Sequence, residues 1–265
     1  MDRLTVNTQG SAAAPDRRRL RARTLTPPRG ILDRIGHAAQ DLLEAGIAAV
    51  SVHGDPLVYD AGCFPWVPAL EARWRGIREE LDMLLAEGTA IPCFQDIVEE
   101  VRTIQRDTLW KTYFLKAVGM DCRDNAARCP RTMEALALVP DVKNAFFSIF
   151  EPGKHVPPHR GAYNGVLRLH LGLRVADPAR CGLRVGDRLC RWEEGRALIF
   201  DDSFNHEAWN DSGDCRVVLF VDFARPLKRP WHRLHSRVID AGALAPFMRR
   251  AARRQREWLR KQRRP

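Results

Sequence analysis

The run GVLRLHLGL at residues 165–173 limits what this 265-residue chain can become. Leu167, Leu169, Leu171 and Leu173 alternate with Val166, Arg168 and His170, the period of a strand whose successive side chains leave on opposite faces. One face is aliphatic and needs a core. The other sets Arg168 and His170 side by side, about 7 Å apart at two residues' rise. On a half-exposed sheet that second face is ordinary solvated surface. Inside a barrel it points into the cavity, where an Arg–His pair is costly to bury unless it binds an anion.

Other segments supply such a barrel. Residues 109–116, 145–150, 182–185, 196–201 and 215–223 have strand-like patterning, separated by Gly, Pro and Asp turns, which predicts a mainly β sandwich or barrel. Helices precede the strands. Ile31, Ile35, Ala38, Ala39, Leu42 and Leu43 share one helical face, and Leu70, Trp74, Ile77, Leu81, Leu84 and Leu85 share another within 69–87. Both faces are expected to pack on the core. The organisation expected is a disordered basic arm at 1–30, one domain at 31–240, and a basic amphipathic helix at 241–265. On that helix Leu244, Phe247, Met248, Ala251, Ala252, Gln255, Trp258 and Leu259 form one stripe, with arginines around the rest. Such a helix suits a membrane interface, and packing on the domain explains it equally well.

The net charge of +10 belongs to the two ends. Residues 1–30 carry +5 and residues 245–265 carry +8, which leaves about −3 for everything between. Basic ends fit an anionic membrane surface or nucleic acid as partner, and also fit plain solvation. Seven scattered cysteines and a start without a signal-peptide pattern lead us to expect free thiols and a cytoplasmic location, peripheral on the membrane's inner face if residues 31–48 and 244–264 lie on it. No apolar run is long enough to span a membrane.

Two clusters flank the decisive strand. HVPPHRG (155–161) precedes it and FDDSFNHEAW (200–209) follows a later one, so that His159 and His206 each stand in a loop beside a strand end. Imidazoles at two corners of a barrel mouth suit Fe(II), Zn or Cu, although a lone histidine is more often structural. Arg216 repeats the Arg168 pattern, sharing its face with Val218, Phe220 and Asp222.

From Ser148 through Phe223 the chain resembles the aspartyl/asparaginyl β-hydroxylase family of Fe(II)- and 2-oxoglutarate-dependent dioxygenases. The resemblance is carried by HRGAYNGVLRLHLGL, WEEGRALIFDDSFNHEAWN and CRVVLFVDF. Through YDAGCFPWV, CFQDI and LWKTYFLKAVGMDCRDNAARCP it extends to 57–228 and looks most like the bacterial lipid hydroxylases. Those place a C2 hydroxyl on an acyl chain of lipid A or ornithine lipid. The resemblance implies a double-stranded β-helix, a cupin-like jelly roll. It implies His159 and His206 as iron ligands and catalytic residues, and Ser148, Arg168 and His170 as contacts to 2-oxoglutarate. Arg216 matches the arginine that clamps the distal carboxylate, a role suited to a planar guanidinium. Gly161 stands where most such enzymes carry a carboxylate ligand; the family shares this gap and leaves the position to water. Asp201 or Asp202 is then expected to bond backbone or orient His206. The reaction implied consumes molecular oxygen and 2-oxoglutarate and hydroxylates a lipid. A β-hydroxylase of aspartyl, asparaginyl or other peptide and amino-acid units is the first alternative, with halogenation a lesser variant. A nucleic-acid-binding protein without enzymatic activity is the distant one, since no nucleic-acid motif is present.

Overall fold

The computed structural model describes residues 31–242 and 245–262; the expected arm at 1–30, and Leu244 of the expected stripe, lie outside the described residues. Helix α1 (Ile31–Val50) leads to strand β1 (Val58–Tyr59) and helices α2 (Val67–Glu71), α3 (Trp74–Ala86) and α4 (Phe94–Ile97). Strand β2 (Trp110–Lys116), helices α5 (Arg123–Ala127) and α6 (Pro130–Leu136), and strand β3 (Val142–Phe150) follow. Next come β4 (Lys154–His159), β5 (Val166–Arg174), β6 (Cys181–Val185), β7 (Arg188–Cys190), β8 (Ala197–Phe200), β9 (His206–Asn210) and β10 (Arg216–Ala224). Helices α7 (Trp231–Ala241) and α8 (Pro246–Gln262) close the chain.

The strands form two antiparallel sheets, ordered β1-β8-β5-β10-β3-β2 and β4-β9-β6-β7. They make the jelly roll that the alternating strands and the resemblance predicted. The alternation in β5 is resolved by two cores. Leu167, Leu169, Leu171 and Leu173 join Val217, Leu219 and Val221 of β10, and helices α2 and α3 cover them with Leu70, Ile77, Leu81 and Leu84. Burial of each such leucine contributes about 1.5–3 kcal/mol. The opposite face of the large sheet meets the small one, where Phe146, Phe150, Val218 and Phe220 pack against Leu183, Val185, Ala208 and Trp192. Strand β10 lies between both layers and is buried along its length. Across it, Phe220 pairs with His170 and Asp222 with Arg168, so the polar side of β5 faces the interior.

Three sequence expectations need correction, and one open reading is resolved. The helix expected at 69–87 is two helices, α2 and α3. His159 and His206 lie in strands β4 and β9, not in loops. Pro157 and Pro158 obscured β4, yet proline is tolerated on an edge strand, and β4 is the edge of its sheet.

The apolar stripe of α1 does not face the core. Ile35, Leu42 and Leu43 are more than half exposed. The helix docks instead through Gln40, Glu44 and Ile47, with Gln40 Nε2 donating to the Ala162 carbonyl at 2.5 Å and Asn164 Nδ2 to the Glu44 carbonyl at 2.9 Å. Finally, α8 resolves its two readings in favour of packing. Ala251, Ala252 and Gln255 are buried, Trp258 packs on the inner core, and Arg250 and Arg254 pair with Glu100 and Glu99 at 2.9 and 2.6 Å. All seven cysteines are free thiols, as expected.

Candidate active site

The pairing of β4 with β9 sets His159 directly opposite His206, with ring centroids 4.1 Å apart. Each ring is held the same way. His159 Nδ1 lies 2.8 Å from the Pro157 carbonyl, and His206 Nδ1 lies 2.9 Å from the Phe204 carbonyl. A carbonyl can only accept, so both Nδ1 atoms carry the hydrogen and both Nε2 atoms keep a lone pair. Burial pushes the His159 pKa down to about 4 and that of His206 well below its ordinary value; the neighbouring cationic and imidazole groups push the same way. Neutral imidazole with an exposed Nε2 lone pair is the form that binds a metal.

No third ligand completes the pair: among the described residues, no group of three or more His, Cys, Asp or Glu side chains converges as a metal cage. Gly161 explains the gap. Its N–H donates to the Asp202 carbonyl at 2.7 Å, and a Cβ at this position would lie 2.2 Å from Asp202 Oδ2. A side chain at 161 would have to displace the Asp202 carboxylate, which is buried and paired with Arg168. Burial pushes the Asp202 carboxyl up to about 7 despite the opposing pull of Arg168. Arg168 Nη2 pairs with Asp202 at 2.8 Å, its Nε donates to Asp222 at 2.9 Å, and the guanidinium covers the Phe220 ring at 4.3 Å. The arginine expected to touch 2-oxoglutarate is thus occupied by two carboxylates. Asp201 bonds backbone as expected, accepting from the Ser203 N–H at 2.9 Å, and also pairs with buried Arg225.

A second constellation lies along β10 and its neighbours. Arg216 is buried, with its guanidinium 3.7 Å from the Phe150 ring and 4.3 Å from the Trp192 ring. Its Nε and Nη1 donate to nothing, and among the described residues no carboxylate forms an ion pair with it. Burial pushes its pKa down to about 9. On the same interior face, Trp192 Nε1 donates to His170 Nδ1 at 3.2 Å. That bond leaves the hydrogen on His170 Nε2, which is buried and has no acceptor. Ser148 Oγ accepts from Trp110 Nε1 at 3.0 Å. Gly172 lets the 193–195 turn approach: its carbonyl accepts from the Gly195 N–H at 2.8 Å, and a Cβ on it would stand 2.1 Å from the Glu193 carbonyl oxygen. This close contact seats Trp192 over both His170 and Arg216.

The interior therefore holds two neutral imidazoles at one end and a cation with spare donors at the other. Unsatisfied buried donors carry a desolvation cost, and an anion with carboxylate geometry would relieve it. A surface cleft lined by Arg78, Arg174, Glu194 and Cys215 offers no such set, since both arginines already pair with Asp82 at 2.8 and 3.8 Å.

The family model for aspartyl/asparaginyl β-hydroxylase matches residues 71–226, which contain both histidines and the whole donor set. The chain belongs to that family. Among curated relatives, an ornithine lipid ester-linked acyl 2-hydroxylase of Rhizobium tropici is 46% identical over 209 residues, covering 78% of this chain and 74% of that protein. The human aspartyl/asparaginyl β-hydroxylase is 33% identical over 181 residues, covering 66% of this chain; the match spans 23% of the human protein. Among solved structures, a prolyl-4-hydroxylase from Pseudomonas putida aligns over 57% of this chain and 87% of its own, at 16% identity and a TM-score of 0.37. As a β-hydroxylase-family member, the chain carries two features that its sequence did not announce. One is the Asp202 carboxylate against Gly161, and the other is Trp192 fixing the His170 tautomer. Only the adjacency of Trp192 to the EEG turn hinted at either.

Proposed function

We propose that this chain is an iron(II)- and 2-oxoglutarate-dependent dioxygenase that hydroxylates C2 of an acyl chain in a bacterial membrane lipid, ornithine lipid before lipid A. Arg216 carries the reading: a buried guanidinium without a carboxylate partner, stacked between two aromatic rings in the interior that the His159–His206 pair also faces. A dicarboxylate is the ligand whose chemistry suits both sets of groups. The distal carboxylate goes to Arg216, which holds it through parallel hydrogen bonds; the His170 Nε2–H donates to the bound cosubstrate, and Ser148 offers its hydroxyl. His159 and His206 hold the metal through Nε2, and their backbone-anchored Nδ1–H groups keep both rings in register.

Bound iron and 2-oxoglutarate supply the oxidising power, dioxygen giving one oxygen atom to the substrate carbon and one to succinate as carbon dioxide leaves. The chain's own task is placement and exclusion of water. Arg168 keeps Asp202 seated against Gly161, and the free Asp202 Oδ1 is an acceptor for whatever fills the open metal position. The substrate assignment rests on the similarity to the ornithine lipid hydroxylase. Similarity to the human enzyme supports aspartyl or asparaginyl β-hydroxylation as the second reading.

The test is incubation of purified full-length protein with Fe(II), 2-oxoglutarate, oxygen and a total bacterial lipid extract, with His206→Ala as control. Mass spectrometry should show an ornithine lipid that gains one oxygen, matched by succinate and absent in the control. Succinate without a modified lipid would move the substrate to a peptide or amino-acid unit, and no succinate at all would sink the dioxygenase reading.

A further inference from the structure

Two helices meet at the loop that follows the first metal-ligand candidate. Helix α1 grips residues 160–164 through Gln40, Glu44 and their partners Arg160, Ala162 and Asn164. Helix α7 reaches the same loop from the other side, where the His235 ring stands 6.1 Å from Tyr163. The helices are also tied at their ends. The Val52 N–H donates to the Pro226 carbonyl and the Lys228 N–H to the Val50 carbonyl, both at 2.9 Å. The end of α1 is thereby fixed three residues before α7 begins.

Both helices turn apolar residues away from the protein. On α7 the inner side carries Ser236 and Asp240, bonded to Lys143 at 2.9 and 2.7 Å, and no residue of the helix is fully buried. Trp231, Leu234 and Val238 lie on the outer side, each more than half exposed. On α1 the outward residues are Ile35, Leu42 and Leu43. A monomer that must only stay dissolved has no use for such a surface at the rim of its site.

The charge around it indicates what covers it. Lys228, Arg229, Arg233 and Arg237 are all exposed beside the α7 stripe, while the helix's one acid, Asp240, is neutralised by Lys143. An exposed tryptophan, an apolar stripe and flanking arginines are what an anionic lipid surface binds. We propose that the outer faces of α7 and α1 form a docking surface for an anionic bilayer and set the 160–165 loop, with His159 behind it, toward the lipid. The proposal rests on the lipid reading for its purpose but stands on separate observations. It also relocates the contact: on the arginine-rich α8, Ala251, Ala252, Gln255 and Trp258 pack on the core, and of the described stripe Phe247 alone is exposed.

The test uses the full-length chain and flotation with vesicles of phosphatidylethanolamine and phosphatidylglycerol, against vesicles of phosphatidylcholine alone. Wild type should float with the anionic vesicles, and less so as salt rises. Leu234→Asp with Val238→Asp should weaken binding at least tenfold. Arg233→Glu with Arg237→Glu should weaken it by about thirtyfold or more. Neither pair should change Tm or turnover of detergent-dispersed lipid, because these side chains lie on the surface. Undiminished flotation of both variants would assign binding to the terminal arginines and overturn the proposal. A dimer that dissociates in the Leu234→Asp/Val238→Asp variant would overturn it too, by making a second copy the occupant. Normal flotation without lipid hydroxylation would leave the docking surface standing and remove only the substrate assignment.

Discussion

Replacing Arg216 by methionine should stabilise the ligand-free protein and abolish its response to 2-oxoglutarate. Burial without an anion pushes the guanidinium pKa down from its ordinary value to about 9. At about 1.4 kcal/mol per pH unit, unpaired burial costs the folded state about 5 kcal/mol. Methionine keeps much of the hydrocarbon and places a polarisable sulfur against Phe150 and Trp192. It forfeits two cation–π stacks, each worth about 0.5–2 kcal/mol. The balance favours the variant by about 1–4 kcal/mol, the range seen when buried charges are exchanged for apolar groups. For a domain of this size each kcal/mol raises Tm by about 2–4 °C. The assay is thermal unfolding of metal-loaded protein under nitrogen, with and without 2-oxoglutarate. Wild type should gain about 2.7 kcal/mol at a hundredfold excess of ligand over Kd, and the variant should gain nothing. A variant that melts several degrees lower than wild type, yet still responds to 2-oxoglutarate, would refute the assignment of Arg216 as an unpaired anion anchor.

Gly161→Asp should not create a three-residue metal site: its Cβ would meet the Asp202 carboxylate at 2.2 Å, lowering stability by about 1–3 kcal/mol or more and reducing bound iron. Adding Asp202→Gly should restore Tm, and a single mutant with normal Tm and iron content would contradict the packing argument. Leu169→Ala, at a fully buried position between the sheet and its covering helices, should cost about 2–5 kcal/mol in urea unfolding; a loss under 1 kcal/mol would mean that this face is not the core. Burial pushes both the Cys129 thiol and the Tyr113 phenol up to about 12. Both raised groups stay protonated in the folded state, while the unfolded chain releases its protons near pH 8.5 and 10. Stability should therefore be unaffected by these groups below about pH 8 and fall as pH rises toward 12. Cys129→Ala should flatten the decline between pH 8 and 10.5, and identical slopes for the two proteins would exclude Cys129 as its source.

What the sequence disclosed and what it hid follow from the range of the interactions involved. Strands β2, β3, β5, β6, β8 and β10 were legible because local alternation mirrors a sheet buried on one or both faces. The Arg168–His170 face of β5 suited either a solvated surface or an enclosed polar interior, and only the packed sheets decide for the interior. Strand β4 was hidden by its own prolines, and β9 by the mixed run HEAWN, which lacks an apolar period. The outward stripe of α1 could not be foreseen, because its orientation is decided by hydrogen bonds that Gln40 donates to, and the Glu44 carbonyl accepts from, a loop more than a hundred residues away. The site divides in the same way. His159, His206 and Arg216 stood out as polar residues at strand ends, but their assembly needed the resemblance to a known family. The contact of Asp202 with Gly161, the engagement of Arg168 by two carboxylates, and the tautomer of His170 depend on tertiary packing and have no signature in the residues' own neighbourhoods.

The most direct test of the account is calorimetric titration of iron(II)-loaded protein with 2-oxoglutarate under nitrogen. One-to-one binding is predicted for wild type, absent from His159→Ala and His206→Ala loaded in the same way, and weakened at least about thirtyfold in Arg216→Met, as the loss of a buried charge partner of 2 kcal/mol or more requires. Binding that ignores all three substitutions, or no binding by wild type with iron shown to be present, would contradict the claim that this interior holds the metal and the dicarboxylate together.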